Sequence, residues 1–155
     1  MLRWSLRISL VSALVSALFF GIPFLRSAEF QAKRQHQRLL DFAAQRNWPR
    51  FYLLLADDYR DAWEMSRTDA LNAAREALSG FLMVSFDWKE ENVSRDGKTV
   101  TLTGIIRMSG SGPTSSMITD HVNRIEKPWT FVWRKDGWKP SDWRLLSVAN
   151  PEVSF

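Results

Sequence analysis

Gly80 divides this chain into two patterns that cannot belong to one kind of element. Before it, apolar residues recur at the helical period. Phe51, Leu55, Tyr59 and Ala62 share one face, and Leu71, Ala74 and Leu78 form another stripe. After it the period is two. Val100, Leu102, Gly104, Ile106 and Met108 alternate with Thr101, Thr103, Ile105 and Arg107. Trp129, Phe131 and Trp133 resume the alternation, and Trp143 to Val148 forms a last strand. Helices followed by strands point to an α+β domain, not to alternating βαβ units with a parallel sheet.

Punctuation residues set the boundaries. Glu29 to Asn47 reads as an amphipathic helix whose first half, QAKRQHQR, is almost entirely polar. That half is expected to be a stalk that turns core-facing at Leu39. Asn47-Trp48-Pro49 ends this helix and starts another. The second helix carries Phe51 to Trp63, with Asp57-Asp58 as an interruption. Ser66 and Asp69 stand in capping-box positions for a third helix over Asp69–Ser79. Phe81 to Trp88 is an aromatic strand, and Asp96-Gly97 marks a hairpin. Residues 109–116, SGSGPTSS, read as a loop, Met117 to Ile125 as a further strand, and Asp136-Gly137 as a turn. The expectation is about three helices packed on a curved antiparallel sheet of four to five strands.

Placement comes from the N-terminus. Ile8 to Leu25 is an uncharged run of 18 residues, which as a helix would reach about 27 Å, close to the bilayer core. Arg3 and Arg7 precede it. The run is longer than the usual signal-peptide apolar region, and a cut after Ala28 would put Arg26 where a small residue is wanted. Residues 1–28 are therefore read as a single-pass signal anchor that contacts the membrane through residues 8–25. The domain of residues 29–155 then lies on the outer, extracytoplasmic face. Secretion after cleavage near Ala28 is the alternative. The net charge of +4 divides accordingly. Residues 1–28 hold three arginines and no acid, leaving 18 basic and 17 acidic residues in the domain. A domain at +1 gives no reason to expect nucleic acid as a partner.

Two strings carry a resemblance. LLLADDYRDAW, residues 53–63, resembles the second-helix region of nuclear transport factor 2-like domains. PWTFVWRKDGWKPSDWRLLSV, residues 128–148, resembles their closing hairpin. The resemblance covers about residues 30–150 and implies a cone-shaped α+β fold. One departure is the stretch between Trp63 and Phe81, read here as helix where those domains place a short strand and a helix. The superfamily includes isomerases, dehydratases, polyketide cyclases and many non-catalytic modules. Its enzymes set an acid–base pair inside the cone, which makes Asp58, Tyr59 and His121 the catalytic candidates, with Asp57 and Asp61 beside them. The same aspartates also read as a solvated helix end paired with Arg60. Dimerisation through the open sheet face is an expectation by analogy.

Seven of the eight tryptophans lie outside residues 1–28. They read first as core and cross-strand packing, with a pocket lined by Tyr59, Trp63, Trp88 and Trp129 as the functional alternative. Trp138, between Gly137 and Pro140, is the one expected to be exposed. Arg134, Lys135, Lys139 and Arg144 around it read as a solvated hairpin. Two histidines and no cysteine give no zinc pattern, and no phosphate-binding glycine motif is present. No metal or cofactor is expected. The function read from the sequence is a membrane-anchored, non-catalytic binding or assembly module for an unknown protein or small molecule. The alternative is an isomerase- or dehydratase-type enzyme, or a small-molecule binder, using the cone pocket.

Overall fold

Each of the first three helices begins at a side chain that caps it. The computed structural model describes residues 27–154. Ser27 Oγ accepts from Phe30 N at 3.2 Å and opens α1 (Ala28–Ala44). Asn47 Oδ1 accepts from Arg50 N at 3.4 Å and opens α2 (Trp48–Leu54), with Pro49 in its first turn. Ser66 and Asp69 form the reciprocal capping box of α3 (Arg67–Leu78). Ser66→Ala, which removes the hydroxyl from this box, is expected to lower stability by about 1 kcal/mol in urea unfolding. The strands follow as β1 (Met83–Asp96) and β2 (Thr99–Ser111), then α4 (Ser115–Arg124), then β3 (Trp129–Lys135) and β4 (Trp143–Ala149). They form one antiparallel sheet in the order β1-β2-β3-β4. The anchor expected over residues 8–25 lies outside the described residues. Among the described residues no helix is long and apolar enough to cross a membrane.

The polar half of α1 corrects the stalk expectation. Gln31, Ala32, Gln35 and His36 are all buried. Gln31 Oε1 accepts from Lys135 Nζ at 2.5 Å and from Trp143 Nε1 at 3.1 Å. His36 sits against the rings of Trp88, Phe131 and Trp133. Polar side chains can enter a core when partners or aromatic faces meet them there, and a hydropathy pattern carries no information about such partners.

The second helix stops at Leu54, well short of Trp63. The chain then runs irregularly beside β4. Ala56 N, Arg60 N and Ala62 N donate to the carbonyls of Leu145, Leu146 and Val148 at 2.9, 3.1 and 3.0 Å. This segment borders the sheet without being a strand of it. An ion pair pins it from outside: Arg134 reaches Asp58 with two nitrogens at 2.7 and 2.8 Å.

β1 and β2 turn through Gly97 and Lys98, with Gly97 at φ 54°. A bulge falls between Glu90 and Asn92. Opposite it, a side chain at Gly104 would run into the Lys89 carbonyl and the Trp88 ring. β3 pairs with β2 only from Thr99 to Gly104. Beyond that point α4 replaces a strand. Asn123 Oδ1 accepts from Met108 N at 2.8 Å, and Asn123 Nδ2 donates to Met108 O at 2.9 Å.

Helix α4 overturns the strand expected over Met117 to Ile125, and it shortens the loop expected over residues 109–116, because β2 continues to Ser111. Ile118, Val122 and Ile125 are spaced as one helical face. The first two pack on the core and the third is buried. The domain therefore has four helices and four strands among its described residues. Its centre is built of Leu55, Val100, Leu102, Trp133, Trp143 and Leu145.

Candidate functional site

The concave side of the sheet and the three N-terminal helices enclose a cavity of about 340 Å³. Helix α1 contributes Leu39, Leu40 and Ala43, and α2 contributes Phe51. Ile106, Trp129, Phe131, Leu145 and Val148 form the sheet wall. Helix α3 offers Ala70, Ala73, Ala74 and Ala77. These four alanines recur at i, i+3, i+4 and i+7, so one face of α3 presents methyl groups where larger residues would fill the space. The segment between α2 and α3 closes the wall with Leu55, Tyr59, Asp61, Trp63 and Met65.

Polar groups are few and gathered on that last segment. Tyr59 and Asp61 are each 5% exposed. The Tyr59 hydroxyl donates to Asp61 Oδ2 at 3.3 Å. Asp61 Oδ1 accepts from Trp63 N at 3.0 Å and from Met65 N at 2.9 Å. The carboxylate thus closes its own loop, and both oxygens are engaged. Burial, and then the neighbouring Asp61 carboxylate, push the Tyr59 phenol above its ordinary range. It stays protonated and serves as a neutral hydroxyl. Trp63 and Trp129 meet with ring centroids 6.3 Å apart. Trp63 Nε1 donates to Val153 O at 2.7 Å. Trp129 Nε1 is buried with no hydrogen-bond partner among the described residues.

The residues singled out in the sequence separate into two groups. Tyr59, Trp63 and Trp129 line the cavity together. Trp88 lies outside the lining, packed on His36 at 4.4 Å and on Phe131 at 5.5 Å between ring centroids. Asp58 is on the surface, and its carboxyl is held below its usual range chiefly by hydrogen bonds from Arg134. Asp57 is also exposed and pairs with Arg67. His121 is exposed on α4. Among the described residues no three His, Cys, Asp or Glu side chains are grouped to hold a metal ion. Asp61 is the acid that the fold carries to the cavity. It stood beside the catalytic candidates in the sequence, whereas its burial could not be read there. The alanine spacing of α3 is the signal in the sequence that marks this wall.

No family model and no curated protein matches this sequence. Solved structures do share its fold. A conserved protein from Planctomyces limnophilus aligns with a TM-score of 0.60 at 12% identity, over 81% of this chain and 96% of that one. A nuclear transport factor 2-like protein of unknown function from Pseudomonas putida aligns with a TM-score of 0.52 at 12% identity, over 78% of this chain and 83% of that one. Bd1075 of Bdellovibrio bacteriovorus aligns with a TM-score of 0.57 at 5% identity over 76% of this chain, which spans only 37% of that protein. The chain therefore has the nuclear transport factor 2-like fold, and at these identities the likeness extends to the fold alone.

Proposed function

We propose that the domain is a non-catalytic binding module that takes an apolar small molecule into the cone, and that the run Ile8–Leu25 holds it at a membrane. One observation carries the binding reading: a cavity of about 340 Å³ whose only ionisable wall residues among those described, Tyr59 and Asp61, sit side by side on one segment. Ligand pockets of this size are usually apolar, with a few convergent polar groups that orient the ligand. The Tyr59 hydroxyl and the unsatisfied Trp129 N–H are the groups available here.

A Tyr–Asp pair in a cone also suits acid–base chemistry. The hydrogen bonding favours binding instead. Asp61 gives both oxygens to the protein, two contacts of them to backbone N–H groups. Tyr59 holds its proton too firmly to act as a base near neutral pH.

The cavity can be filled from α3. In Ala74→Trp the new ring is expected to occupy it and to weaken binding of an apolar naphthalene probe by at least about tenfold, a loss of about 1.4 kcal/mol. Titration by probe fluorescence measures this, with far-UV circular dichroism to confirm folding. A folded Ala74→Trp protein that binds the probe as the parent does would refute the cavity as the binding site.

A further inference from the structure

We infer that one end of the domain, where α1 begins, rests on the surface of an anionic bilayer. This rests on the anchoring part of the reading above. Leu25 ends the apolar run and Ala28 begins α1. Three residues span at most about 11 Å in any conformation. If the run is in the bilayer, the first turn of α1 is therefore tied within reach of the headgroups.

The fold brings a particular surface to the same end. Gln31, in the first turn of α1, holds both Lys135 and Trp143 and so fixes the β3–β4 turn beside the helix start. The β1–β2 turn is there too, since Gly97 and Lys98 share a hollow with Ala28 and Gly137. Along the side of α1 runs a groove of about 140 Å³, in which Phe30, Arg34 and Arg38 meet Pro140 and Ser141. Trp138, 74% exposed, stands at the tip of the turn, with Lys139 Nζ 5.8 Å from its ring centroid.

The charges are arranged for an anionic partner. Arg34, Arg38 and Lys139 form no ion pair among the described residues. Acids stand at the same end and are engaged: Asp142 Oδ2 accepts from Lys139 N at 3.0 Å inside the turn, Asp136 pairs with Arg134, and Glu29 lies 4.0 Å from Arg95. Basic side chains beside a membrane segment are drawn to anionic headgroups, and tryptophan favours the interface between headgroups and acyl chains. The domain is nearly neutral overall, and three of its cations outside ion pairs, Arg34, Arg38 and Lys139, lie beside the end that the anchor would tether.

The absence of cysteine makes the test direct. Ser141→Cys gives one labelling site in the groove. Ser111→Cys gives a control at the far end of β2, about 40 Å along the strand from its first residue. Full-length chains carrying a fluorophore are reconstituted in nanodiscs of phosphatidylcholine, alone or mixed with phosphatidylglycerol, with a headgroup-bound quencher. The Ser141→Cys label is expected to be quenched at least about twofold more than the Ser111→Cys label in the anionic mixture, and less in high salt. Adding Arg34→Glu and Lys139→Glu should bring it to the control level with circular dichroism unchanged. Equal quenching at both sites, or quenching unaffected by lipid charge, salt and charge reversal, overturns the inference. Extraction of the parent chain by alkaline carbonate separates the two readings. A chain that leaves the bilayer overturns the anchor and this inference with it. A chain that stays, with an unquenched label at Ser141→Cys, overturns this inference alone.

Discussion

Near pH 4.5 the domain is expected to be roughly 2–3 kcal/mol less stable than at pH 7, with His36 as the source. The imidazole is 1% exposed, and neither nitrogen has a hydrogen-bond partner among the described residues. Trp88 and Phe131 hold it edge to face, with ring centroids at 4.4 and 4.5 Å. Burial lowers its pKa to about 3. In the unfolded chain the same group takes up a proton near pH 6.5. Its contribution is therefore complete above that pH and is lost progressively as pH falls from 6.5 toward 3. Glu29, Asp58, Asp69 and Glu152 are all lowered in the folded state, so they lose their contributions only as pH falls through their own still more acidic range. The interval between about pH 6.5 and 4.5 belongs to His36. Urea unfolding across that interval measures the slope, and His36→Leu should flatten it. A parent protein equally stable at both ends of the interval would contradict the assignment.

Asp61→Ala should be the more damaging single change, at about 3 kcal/mol or more. It strips the acceptor from the buried Tyr59 hydroxyl and from the N–H groups of Trp63 and Met65 together. Asp61→Asn keeps a carbonyl oxygen for the two backbone donors and is expected to cost about 1 kcal/mol. Thermal and urea unfolding give the ranking. Binding of the naphthalene probe then separates two roles for the carboxylate. Asp61→Asn should bind with the parent's affinity if the group only shapes the wall, and should bind far less if its charge meets the ligand.

The change of period at Gly80, the two caps at Asn47 and Ser66 and the aromatic strand from Trp129 were all legible, because each is a local pattern with a local cause. The exposure of Trp138 was legible for the same reason. What stayed hidden was relational. Gln31, Gln35 and His36 look like solvated residues until the β3–β4 hairpin and its neighbouring rings are placed over them. MITDHVNRI is short enough to satisfy either period, and the choice of helix rests on contacts with β2 that lie outside the segment. In the cavity, Tyr59, Trp63 and Trp129 were within reach of sequence reasoning, since aromatic residues just after a helix and on an inner strand converge in a cone. Trp88 was not separable from them, because strand alternation alone does not tell which ring borders the void and which fills the core.

Asn123 has a consequence for how the protein behaves in a crowd of its own kind. Past Gly104, β2 has lost its neighbour on one side, and such a row of bare amides and carbonyls invites strand addition and aggregation. The carboxamide of Asn123 reproduces the donor–acceptor pair of a missing strand at Met108, while the rest of α4 lies over the gap. A helix that looks peripheral thereby acts as a sterile edge for this stretch of β2, occupying the place where a strand of another molecule would add.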